Sequence, residues 1–365
     1  MPKKTTAKTK SQKMATAPSP DAGALPQNGT GPKYWLISDR DHGGTGIGLN
    51  PAGLAYWTSN AGPLDDINRW QSVSAEDFRA KLIAAADQFP FLQPGQHEQQ
   101  KHVTLLIHGY NNSFAKAATL YENLCGQLYD GPNSLGICVL YDWPSLGDVL
   151  GYEPDRATAR KCAEDLTNIL TELYDWLLKK QQDALADPQN ACKAKLSIIA
   201  HSMGNYLLQK GMAYAWTRMN KPLLVSLINQ LLMVAADVDN DLFDAGATDY
   251  AEGLALINLI YRVTALYSGR DAVLGVSAGL KHFGTRRLGR SGLAHRPPLV
   301  DTPPQTDNVW DSDCSSFFAP DIDGEAVHSA YFKTPATLDL MRQILRGVDR
   351  NVLDQTGATT GKAWP

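Results

Sequence analysis

The sequence has few cysteines, no long apolar run and little net charge, and each shortage argues against a class of protein. Five cysteines are scattered over 365 residues and never spaced Cys-x-x-Cys, so we expect reduced thiols, no metal site and a cytoplasmic location. The longest apolar run, Leu223 to Ala236, is interrupted by polar residues and is too short to span a bilayer. A net charge of −4 gives no reason to expect nucleic acid as a partner.

Large apolar residues are almost absent from residues 1–32, which consist mainly of Lys, Thr, Ala, Pro, Ser and Gly. Such a segment buries too little surface to offset its loss of conformational entropy, so we expect a disordered basic tail. Its lysines fit either a solubilising tail or an anchor to an anionic surface. We expect one α/β domain over residues 33–350 and a flexible tail over 351–365.

Predicted strands and helices alternate along the domain. Short apolar, β-branched runs predict strands at 34–38, 54–58, 102–107, 136–141, 196–200, 230–236, 261–267 and 308–311. Apolar residues at helical spacing, or capping signals, predict helices from Ser74 onward and over 114–129, 155–183, 206–216 and 334–345. The glycine-rich segment Asp41 to Gly53 is expected to be a loop. This alternation predicts a mostly parallel central sheet with helices on both faces.

One predicted strand runs into a sharp turn with a serine at its tip. The order strand, His201-Ser202-Met203-Gly204, helix is that of a nucleophile elbow, in which the residues two before and two after the serine must be small. Ala200 and Gly204 meet this condition. The pattern predicts Ser202 as a nucleophile and the Met203 N–H as a donor to an oxyanion. Taken alone the pattern is weak, because strand-to-helix turns also carry inert serines.

A second turn with suitable chemistry follows the strand at 102–107. In the run His108-Gly109-Tyr110-Asn111, the glycine allows close backbone approach, so the Tyr110 N–H is the expected second oxyanion donor. His108 is expected to orient this loop and not to act as the base. The residues expected at the substrate pocket and its entrance are His108, Gly109, Asn111, Trp143 and Tyr152.

A general base and its acidic partner are expected in loops after later strands. His328 follows the last strand and is the predicted base, in a loop over 324–329. Asp271 follows the strand 261–267 and completes the chain order Ser, Asp, His. Asp237 is an alternative acid after the strand 230–236. We favour Asp271, because Asp237 is also explained as a helix cap.

The remaining cations and histidines carry less information. Arg286, Arg287, Arg290 and Arg296 either favour an anionic substrate or belong to a solvated connection. His201 is expected to be structural. The other histidines have no metal-ligand spacing, and no cofactor is implied.

Six segments together resemble the α/β-hydrolase superfamily and, more closely, the bacterial uncharacterised hydrolases of the DUF900 type. They are HGYNNSF (108–114), YDWPS (141–145), AHSMGN (200–205), ADVDNDLF (236–243), YSGRDAVL (267–274) and HSAYF (328–332). The resemblance spans Tyr34 to Gly347 and implies the α/β-hydrolase fold and a serine hydrolase acting on esters, with no settled substrate. Three functions stay open: a carboxylic-ester hydrolase, a lipase or phospholipase at an anionic membrane surface, and a non-catalytic scaffold.

Overall fold

The computed structural model describes residues 31–43, 46–92, 96, 99–146, 152–219, 228–295 and 308–360. The expected N-terminal tail lies outside these ranges except for residues 31 and 32. His97 and Arg296 also lie outside them.

The described strands form one nine-stranded sheet. In the order of their hydrogen bonding they are β3 (Gln71–Val73), β2 (Gly46–Ser59), β1 (Tyr34–Gly43), β5 (Gly136–Asp142), β4 (Lys101–Ile107), β6 (Ala194–His201), β7 (Ile228–Val234), β8 (Ile260–Tyr267) and β9 (Val309–Asp313). β2 pairs antiparallel with β1 and β3, and every other pair is parallel. The carboxyl ends of the parallel strands therefore meet at one edge of the sheet, where ligands bind in such folds.

Helices cover both faces of the sheet. The described helices are α1 (Ala75–Ala86), α2 (Phe114–Leu124), α3 (Tyr152–Ala186), α4 (Gly204–Met219), α5 (Tyr250–Leu259), α6 (Ala272–Val276), α7 (Leu288–Ser291), α8 (Gly324–Ala330), α9 (Pro335–Leu345) and α10 (Arg350–Thr356). Neighbouring residues of β6 point into two different apolar layers: Ile198 packs with residues of α3 and α4, and Ile199 with residues of α2 and α9. The expected α/β architecture is confirmed.

Local sequence explains where these helices begin and which face they bury. The Ser74 hydroxyl accepts a hydrogen bond from the backbone N–H of Asp77, and this N-cap starts α1. In α3, Leu166, Ile169 and Leu170 recur at helical spacing and are buried, so the helix packs through one apolar stripe. No helix within the described ranges is both long and apolar enough to cross a bilayer.

Two segments expected to lack regular structure are ordered. In the segment Asp41 to Gly53, expected to be a loop, residues 41–43 belong to β1 and residues 46–53 to β2, and these strands pair His42 with Ile47 and Gly43 with Gly46. Antiparallel pairing supplies backbone partners that a count of glycines does not reveal.

The predicted flexible tail over 351–365 is likewise ordered in its first part. α10 runs to Thr356, and Leu353 and Ala358 are buried against the domain. Burial of these apolar side chains offsets the entropy lost on ordering.

Candidate active site

A serine, a histidine and an aspartate from distant parts of the chain form one hydrogen-bonded line at the carboxyl edge of the sheet. The Nε2 atom of His328 lies 2.9 Å from Ser202 Oγ, and its Nδ1 atom lies 2.7 Å from Asp271 Oδ2. Asp271 is fully buried, and its Oδ1 accepts a hydrogen bond from the N–H of Leu274 in α6. Because an ionised carboxylate only accepts hydrogen bonds, His328 Nδ1 must donate, which leaves Nε2 to accept from the serine.

His328 does not lie in the loop expected from the sequence but in α8. Asp323 caps this helix, since its side chain accepts a hydrogen bond from the N–H of Glu325. The cap and the burial of Val327 make the short segment helical. The helix presents the imidazole to the sheet edge from a rigid element.

Ser202 occupies a strained turn between β6 and α4. Its φ is +52°, a left-handed conformation that is unfavourable for a residue with a Cβ. A Cβ at Gly204 would lie 2.5 Å from the carbonyl oxygen of His108, so this position must be glycine. The Asn205 amide donates to the carbonyl oxygens of Ala200 and Ser202, at 2.9 and 3.1 Å, and ties the turn together. The tight turn predicted from the spacing is therefore present.

The turn after β4 passes directly against the serine. A Cβ built on Gly109 would lie 2.7 Å from Ser202 Cβ, a distance that only glycine avoids. Tyr110 follows and lines the same cavity as Ser202. Met203 has a fully buried side chain and stands immediately before α4. Both residues predicted as oxyanion donors are thus brought to the serine.

His201 connects the elbow to α8. Its Nε2 atom lies 2.9 Å from the backbone oxygen of His328. Burial, together with the neighbouring His328 ring, lowers the pKa of His201 to about 3, so the ring is neutral and Nε2 donates to that carbonyl. This placement agrees with the structural role predicted for His201.

A buried ionic network supports the Gly109 turn from below. Arg40 and Asp142 are fully buried and pair at 2.9 Å, and Asp142 also lies 3.0 Å from His108 Nε2. Burial would raise the pKa of Asp142, but Arg40 and His108 outweigh it and hold the pKa below its usual value. Arg40 also donates to the Asn112 carbonyl at 2.9 Å. The network therefore joins β1 and β5 to the loop beside the serine.

A cavity of about 450 Å³ opens above Ser202. Of the residues predicted for the pocket, Asn111 and Tyr152 line it. Other lining residues come from α6, the helical turn after it, and α8; they include Val273, Leu274, Val276, Ser277, Lys281, Glu325 and Ser329. The wall is mixed in character, with apolar side chains from α6 and polar side chains such as Asn111, Lys281 and Glu325.

Three predicted pocket residues lie elsewhere. His108 and Trp143 are fully buried beneath the loop, because the Trp143 indole donates to the His108 carbonyl at 2.8 Å and the two rings stack. Gly109 meets the serine through its backbone and does not line the cavity. The predicted placement of these side chains at the pocket was therefore wrong, whereas His108 does orient the loop.

Asp237, the alternative acid, does not contact His328. Its carboxylate accepts hydrogen bonds from Arg287 Nε, Ser277 Oγ and Tyr152 Oη, each at 2.8 Å. Burial would raise the pKa of Asp237, but Arg287 and these hydrogen bonds hold it below its usual value. The predicted helix-cap explanation is also wrong, since an ion pair and two hydroxyls satisfy this carboxylate.

Two of the four arginines considered for anionic substrates are occupied within the protein. Arg287 is fully buried and pairs with Asp237 and Asp239. Arg290 donates to the backbone oxygen of Asp271. Arg286 is exposed and Arg290 is partly exposed.

A family model described as an alpha/beta hydrolase of unknown function, DUF900, matches residues 85–299. The chain belongs to this family. The matched range contains Ser202 and Asp271, whereas His328 lies beyond it.

Individual relatives of this DUF900 hydrolase are distant. The uncharacterized protein alr1448 of Nostoc sp. strain PCC 7120 is 24% identical over 323 residues, covering 72% of this chain and 79% of that protein. A Lactobacillus plantarum WCFS1 structure, provisionally assigned as a cell surface hydrolase, has 9% identity and a TM-score of 0.36 and covers 71% of this chain and 97% of that one. An esterase of Pyrobaculum calidifontis has 12% identity and a TM-score of 0.29, and the match covers 66% of this chain and 77% of that one.

The sequence did not reveal several residues that support the candidate site of this DUF900 family member. Arg40 and Asp142 are 102 positions apart, and Arg287 and Asp237 are 50 apart, so no local pattern links either pair. Asn205 is different, because it stands in the AHSMGN segment directly after the elbow. A polar residue that follows the small residue of an elbow is a signal that could have identified it.

Proposed function

We propose that this DUF900 hydrolase cleaves carboxylic esters through an acyl-enzyme intermediate. The observation that carries the proposal is the line from Ser202 through His328 to the buried Asp271, with the serine in a strained left-handed turn. A serine held at 2.9 Å from an imidazole whose other nitrogen contacts a carboxylate has the geometry of an activated nucleophile.

In the proposed reaction, Ser202 Oγ attacks the acyl carbon while His328 Nε2 takes the hydroxyl proton. Asp271 stabilises the imidazolium that forms and keeps Nδ1 protonated. The N–H groups of Met203 and Tyr110 donate to the oxyanion that develops on the carbonyl oxygen. His328 then protonates the leaving alcohol, and a water molecule activated by the same imidazole releases the acid.

The experiment is covalent labelling with a fluorophosphonate probe, followed by turnover of p-nitrophenyl esters of increasing chain length. Ser202→Ala should abolish labelling and lower turnover by roughly 10³-fold or more, with little change in thermal stability. Ser329→Ala is the matched control, because this serine lines the same cavity but its hydroxyl contacts the Ala326 carbonyl and not an imidazole. Labelling that persists in Ser202→Ala would refute the assignment.

The same experiment decides between an enzyme and a scaffold. A non-catalytic scaffold would give neither covalent labelling nor ester turnover, although all three side chains are present and in contact. The cytoplasmic location and the absence of a nucleic acid partner stay predictions of the sequence.

A further inference from the structure

Three exposed apolar side chains stand close together in the segment that follows α6. Val276 is 55% exposed, Leu280 is 75% exposed and Phe283 is 97% exposed. Val276 and Leu280 are four residues apart on one helical stretch, and Phe283 follows with a left-handed φ of +50°. Within the described residues, large apolar side chains this exposed are few and otherwise scattered. We call this group the apolar tip.

The apolar tip adjoins the cavity above Ser202. Val276 lines that cavity, as does Lys281, which stands between Leu280 and Phe283 in the chain. A molecule that contacts the tip is therefore at the entrance to the serine. Contiguous exposed apolar surface beside a binding cleft marks an interaction site more often than an isolated exposed leucine does.

The segment that carries the tip has cations but no acid of its own. Residues 276–286 contain Lys281 and Arg286 and no acidic residue. Two acidic residues, Asp237 and Glu325, line the adjoining cavity. The Asp237 carboxylate is already paired with Arg287. Apolar side chains flanked by cations match a surface with a hydrocarbon interior and anionic head groups.

We propose that the apolar tip docks on an anionic lipid surface, which presents an ester-bearing lipid to the cavity. The ester part rests on the proposed function, whereas the docking part does not. Leu280 and Phe283 enter the interface between head groups and acyl chains, and the exposed Arg286 faces the phosphates. Lys281 stands at the cavity, with its ammonium 5.5 Å from the centre of the Tyr152 ring. A lipid ester then reaches Ser202 from the membrane side of the cavity without its acyl chain crossing water.

The test is the partition of the full chain onto phosphatidylcholine vesicles with and without phosphatidylglycerol. We expect stronger binding to the anionic vesicles, weakened by added salt. The double variant Leu280→Ser, Phe283→Ser should weaken that binding roughly tenfold or more, since two large apolar groups no longer leave water. Leu185→Ser is the matched control, because Leu185 is 90% exposed in α3 and lies outside the tip.

Other results would overturn the proposal. Undiminished vesicle binding by the double variant would place the contact elsewhere, for example in the lysine-rich N-terminal residues. Equal binding to neutral and anionic vesicles would refute the preference for an anionic surface. A native dimer that the double variant converts to a monomer in sedimentation would make the tip a contact between two copies of the chain.

The same vesicles separate this inference from the proposed function. Ser202→Ala should bind them as the native chain does, because docking does not use the hydroxyl. Binding through the tip without fluorophosphonate labelling of the native chain would refute the esterase and leave the docking surface standing. Labelling without tip-dependent binding would refute the docking surface and leave the esterase standing.

Discussion

Exchanging each of two buried aspartates for asparagine tests which of them serves His328. In Asp271→Asn, the amide oxygen can still accept from the Leu274 N–H, so the cap of α6 remains. The amide nitrogen then occupies the place of Oδ2, 2.7 Å from His328 Nδ1, and must donate. His328 is forced into the tautomer with its proton on Nε2, which faces Ser202 and can no longer accept the serine proton.

The expected magnitude follows from that geometry. Turnover of Asp271→Asn should fall by about 10⁴-fold, the size of the effect that the corresponding aspartate-to-asparagine substitution has in a serine protease triad. The melting temperature should change little, because the cap is kept and no buried cation loses its partner.

Asp237→Asn is the matched comparison and should act on stability. The carboxylate that Arg287 contacts at 2.8 Å would become neutral, while Arg287 stays fully buried. Removing one partner of a buried ion pair costs about 3–5 kcal/mol of unfolding free energy, and we expect about 3 kcal/mol because Asp239 still pairs with Arg287. Steady-state kinetics and thermal melts on both purified variants give the answer. A stable but inactive Asp237→Asn beside an active Asp271→Asn would refute the assignment.

Three further predictions concern the loop beside the serine and the response to pH. Gly109→Ala should lower kcat by about 10²-fold or more, because the added Cβ would lie 2.7 Å from Ser202 Cβ and move the oxyanion turn; unchanged kinetics would contradict this. Arg40→Met should destabilise the fold by about 3 kcal/mol, as Asp142 loses its buried partner, and a melt with no shift would contradict it. Burial lowers the pKa of His102 and His201 to about 3. Below about pH 6.5 the unfolded chain therefore binds more protons than the folded chain, and the free energy of unfolding should decrease as the pH is lowered, by about 1.4 kcal/mol per pH unit for each ring. Below pH 6 the half-buried Asp165, whose pKa is raised to about 6, offsets part of that loss, and equal urea-unfolding free energies at about pH 7.5 and about pH 5.5 would contradict the sign.

Much of this fold could be read from local pattern. Strands such as β4 and β6 are buried apolar runs, and an apolar stripe at helical spacing marks α3; both signals come from neighbouring residues. The pairing of β1 with β2 could not be predicted in this way, because the backbone hydrogen-bond partners of each strand lie on the other strand and not among its own neighbours in the chain. Similarly, the order of Arg40 and Asp142 in the chain says nothing of their 2.9 Å contact.

In the candidate site, too, some features follow from the local sequence and others from contacts between distant segments. Steric demand at a tight turn constrains adjacent positions, so the spacing of Ala200, Ser202 and Gly204 between a predicted strand and a predicted helix indicated the tight turn, although not by itself a catalytic serine. The choice between Asp271 and Asp237 was different, because both follow parallel strands and both fit the chain order. Tertiary packing decided which carboxylate contacts His328: Arg287, 50 residues away in sequence, occupies Asp237, and α8 brings the imidazole to Asp271. Contacts between distant segments depend on how the elements pack, and that information is not contained in the spacing of residues within any one of them.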